Sequence, residues 1–161
     1  MRSNEGFCIW FSLRYRTSTD KGFWDLMGIT NGPVIAIHSN SRAIWNNSRD
    51  LTDDMFQAIV QTDGAAGYNA CDEFMGEASD LDTICDYILR FMELDPAGGY
   101  IALGGDLDGI EKMPKGFEGV QSWPVLADKV IYCGLTEKDV NDVFWNNAMG
   151  VMELAVRNNQ K

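Results

Sequence analysis

Histidine and positive charge are both scarce in this sequence. Its single histidine is His38, and 13 lysines and arginines face 24 aspartates and glutamates, which gives a net charge of −11. A protein with this charge is repelled by a nucleic-acid backbone and by an anionic bilayer surface. We therefore expect neither nucleic acid nor a membrane among its partners.

Cysteine is sparse as well, and long apolar runs are missing. The four cysteines, Cys8, Cys71, Cys85 and Cys133, form no CxxC pair, which argues against a zinc knuckle or a disulfide framework and favours reduced thiols that fill space. The first apolar run covers only residues 7–11, which is too short for a signal peptide or a membrane span. These features predict a cytoplasmic protein.

Apolar runs of strand length alternate with longer amphipathic segments along the chain. The predicted strands are residues 6–13, 32–39, 65–71 and 100–109. The predicted helices are residues 20–27, 51–61, 80–94, 125–134 and 135–156, with Thr52 and Thr136 as N-caps. Because 161 residues with 45% apolar composition suit one core, we predict a single domain over residues 1–161. Its predicted class is α/β, a partial (β/α)8 TIM-type barrel of about four βα units with parallel strands.

Polar residues directly follow two of the predicted strands. His38, Asn40 and Arg49 come after one strand, and Asp106 and Asp108 come after another. In a barrel the carboxyl ends of all strands face one mouth. We therefore predict that these side chains converge on a single site.

Each of these residues also has a plainer interpretation. A lone histidine is often a hydrogen-bonded structural residue, although barrel enzymes place imidazoles for metal binding or proton transfer at the end of apolar strands such as the one before His38. The Asp106 and Asp108 carboxylates suit a loop cap as well as a proton shuttle, and their spacing does not satisfy an EF-hand. Arg49 suits two parallel hydrogen bonds to a substrate carboxylate, but spacing alone favours a surface charge. The residue types leave these alternatives open.

Five motifs carry a resemblance to one enzyme family. They are an apolar strand that ends in His-Ser-Asn, an arginine eleven residues later, LTDD, GGDxDG and PxGFExVxxxP. From about Asp20 to its end, the sequence is similar to the carboxyl-terminal half of the membrane (renal) dipeptidase family of zinc metallopeptidases, whereas residues 1–19 depart from the family pattern. The resemblance implies a (β/α)8 barrel with two Zn2+ ions at its mouth, and dipeptides as substrates.

The resemblance also implies roles for three residues. His38 corresponds to a zinc ligand, Arg49 to the arginine that holds the terminal carboxylate of the substrate, and Asp106 to the carboxylate that handles protons beside the bridging water. Asn69 falls at another strand end, and no role is carried over to it. The other metal ligands of the family, a His-x-Asp pair and a glutamate, have no counterpart here, and Thr17 stands where a second histidine ligand is expected. The resemblance thus implies an incomplete zinc site in the chain alone.

Two hypotheses from different classes follow. The first is a zinc dipeptidase that pairs with a missing amino-terminal half or with a second copy, because an open half-barrel exposes strand edges and an apolar face. The second is a truncated or frameshifted non-catalytic fragment that acts only through packing or self-association. A one-nucleotide shift in a coding sequence for Arg-Tyr-Arg-Thr-Ser gives Asp-Ile-Ala-His, close to the strand end of the family. An acidic binding module for a small ligand is a third alternative, supported only by the strand-end polar residues.

Overall fold

The computed structural model describes residues 9–11, 19–108 and 110–158 of the chain. Of the strand predicted over residues 6–13, the described part is Ile9–Phe11, and it is a strand. The rest of that prediction, Cys8, Thr17 and the other positions of the proposed frameshift lie outside the described residues.

The described strands form one parallel sheet. They are β1 (Ile9–Phe11), β2 (Val34–Ala36), β3 (Ala65–Asn69) and β4 (Ile101–Gly105). The strands lie side by side in chain order, and every neighbouring pair is parallel. The predicted α/β class with parallel strands is confirmed, and the closure of this sheet into part of a barrel remains a prediction.

Helices follow the strands along the chain. They are α1 (Asp20–Met27), α2 (Asp53–Val60), α3 (Leu81–Leu94), α4 (Trp123–Tyr132), α5 (Glu137–Asn141) and α6 (Asn147–Asn158). A π-helical turn joins α5 to α6, so the helix predicted over residues 135–156 has one widened turn. The Thr52 and Thr136 hydroxyls accept hydrogen bonds from backbone N–H groups of their helices, as predicted for N-caps. Within the described chain, no helix is long and apolar enough to cross a membrane.

The helix-facing side of the sheet carries the main core. Val34, Ala36 and Ala66 are fully buried and pack in one cluster with Phe56 of α2 and Phe91 of α3. The two phenylalanine rings are stacked, with 4.3 Å between their centres. Burial of apolar surface stabilises a fold by about 25 cal/mol per Å². This layer therefore fixes the strands against α2 and α3.

The opposite side of the sheet is predicted from the sequence to be exposed, but the structure shows otherwise. Ile35 is 8% exposed and Ala65 is 2% exposed. Val151 of α6 packs against both side chains. The prediction of a bare apolar face is therefore wrong for these residues, because the last helix of the chain covers them.

The sequence predicts a strand that ends at Ser39, but β2 ends at Ala36. A close approach of the backbone explains the difference. The chain turns at Ile37 and His38. A Cβ atom on Gly67 or Gly104 would lie 2.3 or 1.7 Å from the Ile37 carbonyl oxygen, so only glycine fits at these positions. The two glycines let the segment after β2 pass close to β3 and β4, which brings His38 towards the ends of those strands.

Candidate active site at the carboxyl ends of the strands

Two predicted site residues lie together at the carboxyl ends of the strands. His38 follows β2 and Asp106 follows β4, and the His38 Nε2 atom is 3.8 Å from the Asp106 Oδ1 atom. Their side chains are 20% and 27% exposed, so a ligand can reach them although most of each side chain is shielded from water. The structure thus brings this imidazole and this carboxylate together, and their roles remain a prediction.

Asp106 has a backbone conformation that few side-chain-bearing residues adopt. Its φ is +57°, it follows Gly105 with φ +72°, and its N–H donates to the Gly104 carbonyl at 2.9 Å. A left-handed backbone at a non-glycine residue costs about 1–2 kcal/mol, and such residues cluster at functional sites. The turn at Gly105 and Asp106 ends β4 and sets the Asp106 carboxylate beside His38.

Asn69 belongs to the site, although no role was predicted for it from the sequence. Its side-chain Nδ2 donates to the Asp106 Oδ2 atom at 3.0 Å, and its Oδ1 accepts from the Cys71 backbone N–H at 2.7 Å. Together these bonds fix which end of the Asn69 amide faces Asp106. The signal in the sequence was its position at the end of β3, where an amide is a suitable partner for a neighbouring carboxylate.

Arg49 is half-buried. Its guanidinium carbon lies 4.0 Å from the centre of the Phe74 ring, and its buried Nε atom has no hydrogen-bond partner among the described residues. Within the described chain no carboxylate forms an ion pair with Arg49, although acidic residues outnumber basic ones by 24 to 13. This environment favours the carboxylate-binding alternative for Arg49 over a plain surface charge.

The thiol of Cys71 lies within electrostatic range of both Arg49 and Asp106. Burial is the main cause that raises the pKa of the Cys71 thiol. The Asp106 carboxylate raises this pKa further, and the Arg49 guanidinium lowers it. Both charges therefore lie within electrostatic range of one thiol at the end of β3. Among the described residues, no hydrogen bond joins Arg49 directly to His38 or Asp106.

Asp108 is exposed, and in the described ranges no hydrogen bond or ion pair joins it to His38 or Asp106. Its convergence on the same site stays a prediction.

Asn40 and Asp50 lie behind the site in buried positions. Asp50 is 2% exposed, and its Oδ1 atom accepts from the Asn40 backbone N–H at 3.0 Å. Burial raises the pKa of Asp50 to about 7, although the Asn40 N–H and the cations Arg49 and Arg42 act in the opposite direction. Asn40 faces β3 instead of the ligand side: its amide bonds the backbone of Asn69. The prediction that Asn40 lines the mouth is therefore wrong.

The described residues do not by themselves form a complete metal site. Within the described ranges, no group of three or more histidine, cysteine, aspartate or glutamate side chains could hold an ion. A typical catalytic zinc has three protein ligands, and the described residues at this site offer fewer.

Sequence comparison shows to which protein family the chain belongs. The membrane dipeptidase family, peptidase family M19, matches residues 16–161. The chain belongs to this family. Relatives include an uncharacterized dipeptidase of Schizosaccharomyces pombe (C3A11.10c), 27% identical over 137 residues, and the dipeptidase aclJ of Aspergillus oryzae, 29% identical over 133 residues. These alignments cover 83% and 79% of this chain, but 34% and 31% of the relatives, so the chain spans about a third of their length.

Solved structures of the membrane dipeptidase family share the fold. The dipeptidase AC, a metallopeptidase of family M19, is 25% identical with a TM-score of 0.79, over 84% of this chain and 41% of that one. A metallopeptidase from Rhodobacter sphaeroides, liganded with a phosphinate mimic of the dipeptide L-Ala-D-Ala, has the same identity and TM-score, over 84% and 40%. An amidohydrolase from Pseudomonas aeruginosa, 18% identical with a TM-score of 0.81, shares the fold alone.

Proposed function

We propose that this chain supplies one side of a metallodipeptidase active site, with zinc as the metal and a dipeptide as the substrate. The observation that carries the proposal is Arg49, a half-buried cation without an ion-pair partner in the described chain. Arg49 and Asp106 both act electrostatically on the Cys71 thiol, and Asp106 lies beside His38. Membership of the membrane dipeptidase family supports the reaction class.

In this proposal Arg49 binds the terminal carboxylate of the dipeptide. The Phe74 ring supports the guanidinium plane from one side. A guanidinium held in this way offers two parallel N–H donors that match the two oxygens of a carboxylate. A dipeptide is a zwitterion at neutral pH, and its carboxylate end is repelled by the surplus of acidic groups, so a local cation without a protein partner is what attracts this end.

Asp106 handles the proton in this proposal. Hydrolysis of a peptide requires that the attacking water loses a proton and that the departing amine gains one. The Oδ2 atom of Asp106 is occupied by the Asn69 amide, and the Oδ1 atom lies 3.8 Å from the His38 imidazole. The carboxylate therefore keeps one oxygen on the ligand side that accepts the proton from water and later delivers it to the amine.

His38 is the proposed zinc ligand of the chain. The other ligands of a zinc ion then come from outside the described residues or from another chain, either an amino-terminal half or a second copy. We also propose that this sheet is part of a (β/α)8 barrel completed in that way. The free thiols of Cys71, Cys85 and Cys133 support a cytoplasmic location.

A complementation assay tests the proposed function. The chain is mixed with the amino-terminal part of the Rhodobacter sphaeroides relative and with zinc, and hydrolysis of L-Ala-D-Ala is followed. We expect hydrolysis only in the mixture, and Arg49→Met should raise the KM on the order of a hundredfold, because two charge-assisted hydrogen bonds are lost. Arg157→Met is the matched control, since Arg157 is exposed and pairs with Glu153 on α6.

Two outcomes would contradict the proposal. One is a mixture without any hydrolysis, which would favour the non-catalytic alternative. The other is a KM for Arg49→Met that equals the KM of Arg157→Met, because the Arg49 guanidinium then does not hold the substrate.

A further inference from the structure

Asn40 replaces part of the ladder between β2 and β3 with its side chain. It is fully buried, its Nδ2 donates to the Asn69 carbonyl at 3.0 Å, and its Oδ1 accepts from the Asn69 N–H at 3.0 Å. The reversed amide would face a donor with a donor and an acceptor with an acceptor. Only one orientation of Asn40 therefore satisfies the backbone of Asn69.

Asp50 holds the backbone of Asn40 in place from the other side. Its Oδ1 atom accepts from the Asn40 N–H at 3.0 Å, and the Asn40 carbonyl accepts from the Leu51 N–H at 2.9 Å. Both cations near Asp50 are engaged elsewhere: Arg42 bonds the carbonyls of Ser48 and Asp50 and the carboxylate of Asp20, and Arg49 stacks on Phe74. The carboxylate of Asp50 is thus directed at Asn40 and not at an ion-pair partner. Burying a carboxylate without an ion-pair partner costs folding free energy, so we expect Asp50 to have a function that explains its presence.

Asn69 connects Asn40 to Asp106, the proposed proton carrier. Its Oδ1 atom is committed to the Cys71 N–H at 2.7 Å, so its Nδ2 faces the Asp106 Oδ2 atom, at 3.0 Å. Asp50, Asn40, Asn69 and Asp106 therefore form a continuous chain of hydrogen bonds, which we name the strand-end network. It runs from the loop before α2 to the turn after β4.

We infer that Asp50 and Asn40 are positioning residues for the Asp106 carboxylate and act on it through the side-chain amide of Asn69. The inference rests on the proposed function to the extent that Asp106 is the proton carrier. The hydrogen bonds themselves exist without substrate or metal, so they can be tested independently of catalysis.

The test follows the side-chain amide of Asn69 by NMR in the isotope-labelled full chain. In Asp50→Ala and in Asn40→Ala, we expect the Asn69 Nδ2 protons to exchange with water about tenfold faster and to shift, because the bond to Asp106 is loosened. The double variant should be no faster than the faster single variant, since both truncations cut the same path. Asp50→Asn should restore the parent exchange rate, because its side-chain oxygen still accepts from the Asn40 N–H.

Asp95→Ala is the matched control for a lost buried carboxylate. Asp95 is 8% exposed and accepts from the backbone N–H groups of Gly99 and Tyr100, at the opposite end of β4 from Asp106. We expect Asp95→Ala to leave the Asn69 amide signals and their exchange rate unchanged.

Three results would overturn the inference. They are an unchanged Asn69 amide in Asp50→Ala, the same acceleration in Asp95→Ala, and a failure of Asp50→Asn to restore the parent rate. If Asp50→Ala does not fold, the test uses Asn40→Ala alone, because this variant removes the next residue of the strand-end network. The NMR readout needs neither substrate nor zinc, so it is independent of the dipeptidase assay. A negative result in either experiment does not decide the other.

Discussion

A carboxylate as buried as Asp50 makes the stability of the chain depend on pH. Burial raises the pKa of Asp50 from 3.8 to about 7, so the folded state binds its proton more tightly than the unfolded state does. The stabilisation is then fully present below pH 3.8 and is lost as the pH rises through 7. The difference in pKa corresponds to an upper limit of roughly 4 kcal/mol. Asp50→Asn removes this loss, so its advantage in unfolding free energy over the parent should grow between pH 4.5 and pH 8 in urea titrations.

Asp80→Asn provides a comparison of opposite sign. Hydrogen bonds from the Thr83 backbone and side chain lower the pKa of the Asp80 carboxyl, so its contribution to stability is present at neutral pH and is lost in acid. Asp80→Asn should therefore lose stability relative to the parent as the pH rises towards about 4, and this loss should stay constant at higher pH. Parallel curves for the parent and Asp50→Asn would contradict the assignment of the pH dependence to Asp50.

At this same scale, residue types and strand ends singled out His38, Arg49 and Asp106 in the sequence, and the resemblance to the dipeptidase family was needed to choose their roles. Histidine, arginine and aspartate have chemistry that is visible without coordinates. The importance of Asn69 and Asp50 was not predictable, because an amide or a buried acid gains its role only from the groups that face it.

At the scale of elements, helices were predicted more accurately than strands. The apolar periodicity of α2 and α3 is a local property. The helix α2 begins directly after its predicted N-cap, Thr52, and α3 begins one residue after its predicted start at Asp80. The end of β2 depends instead on a contact between the Ile37 carbonyl and distant glycines. The π-helical turn before α6 has no local signal in the sequence and meets the sheet at Val143, whose side chain packs in the core beside β4.

Asn147 connects α6 to β4 and to the loop before it by two hydrogen bonds. Its Nδ2 atom donates to the carbonyls of Gly98 and Ile101, at 2.6 and 2.8 Å. Asn147→Ala leaves two partly buried carbonyls without this donor, and we expect it to lower the unfolding free energy by about 2 kcal/mol in urea denaturation. The neighbouring Asn146 is exposed and bonds only Asp142 of its own helix in the described chain, so Asn146→Ala should stay within about 0.5 kcal/mol of the parent. Equal losses in the two variants would contradict an anchoring role for Asn147.

At the scale of the whole molecule, strand order was predictable and coverage of the sheet was not. Alternating strands and helices indicate sequential parallel neighbours, and the order β1-β2-β3-β4 agrees. The packing of Val151 on Ile35 and Ala65 was not predictable, because it depends on where the last helix crosses the sheet. This packing reduces the apolar area that a partner chain could cover.

Self-association is the remaining expectation at this scale, and it depends on the strand edges. In the described sheet, β1 and β4 each pair with one neighbour only, and an unpaired edge offers its N–H and carbonyl groups to another chain. The last helical segment packs beside β4, with Val143 in the core cluster that contains Ile101, whereas none of the described helices makes extensive contact with β1. We therefore propose β1 as the edge that pairs. The net charge of −11 opposes association by repulsion between two copies.

Added salt distinguishes pairing at a strand edge from repulsion between the two negatively charged copies. Raising the ionic strength from 0.1 M to 1 M shortens the screening length from about 10 Å to about 3 Å and so weakens the repulsion, but it leaves hydrogen bonding at an edge in place. We therefore expect sedimentation velocity to show a mass that rises from 18.0 kDa towards twice that value as salt is added at a fixed protein concentration. A monomer at both salt concentrations would show that the edges are already satisfied within the chain. A dimer that dissociates in salt would assign the association to ion pairs, and either result would contradict pairing through β1.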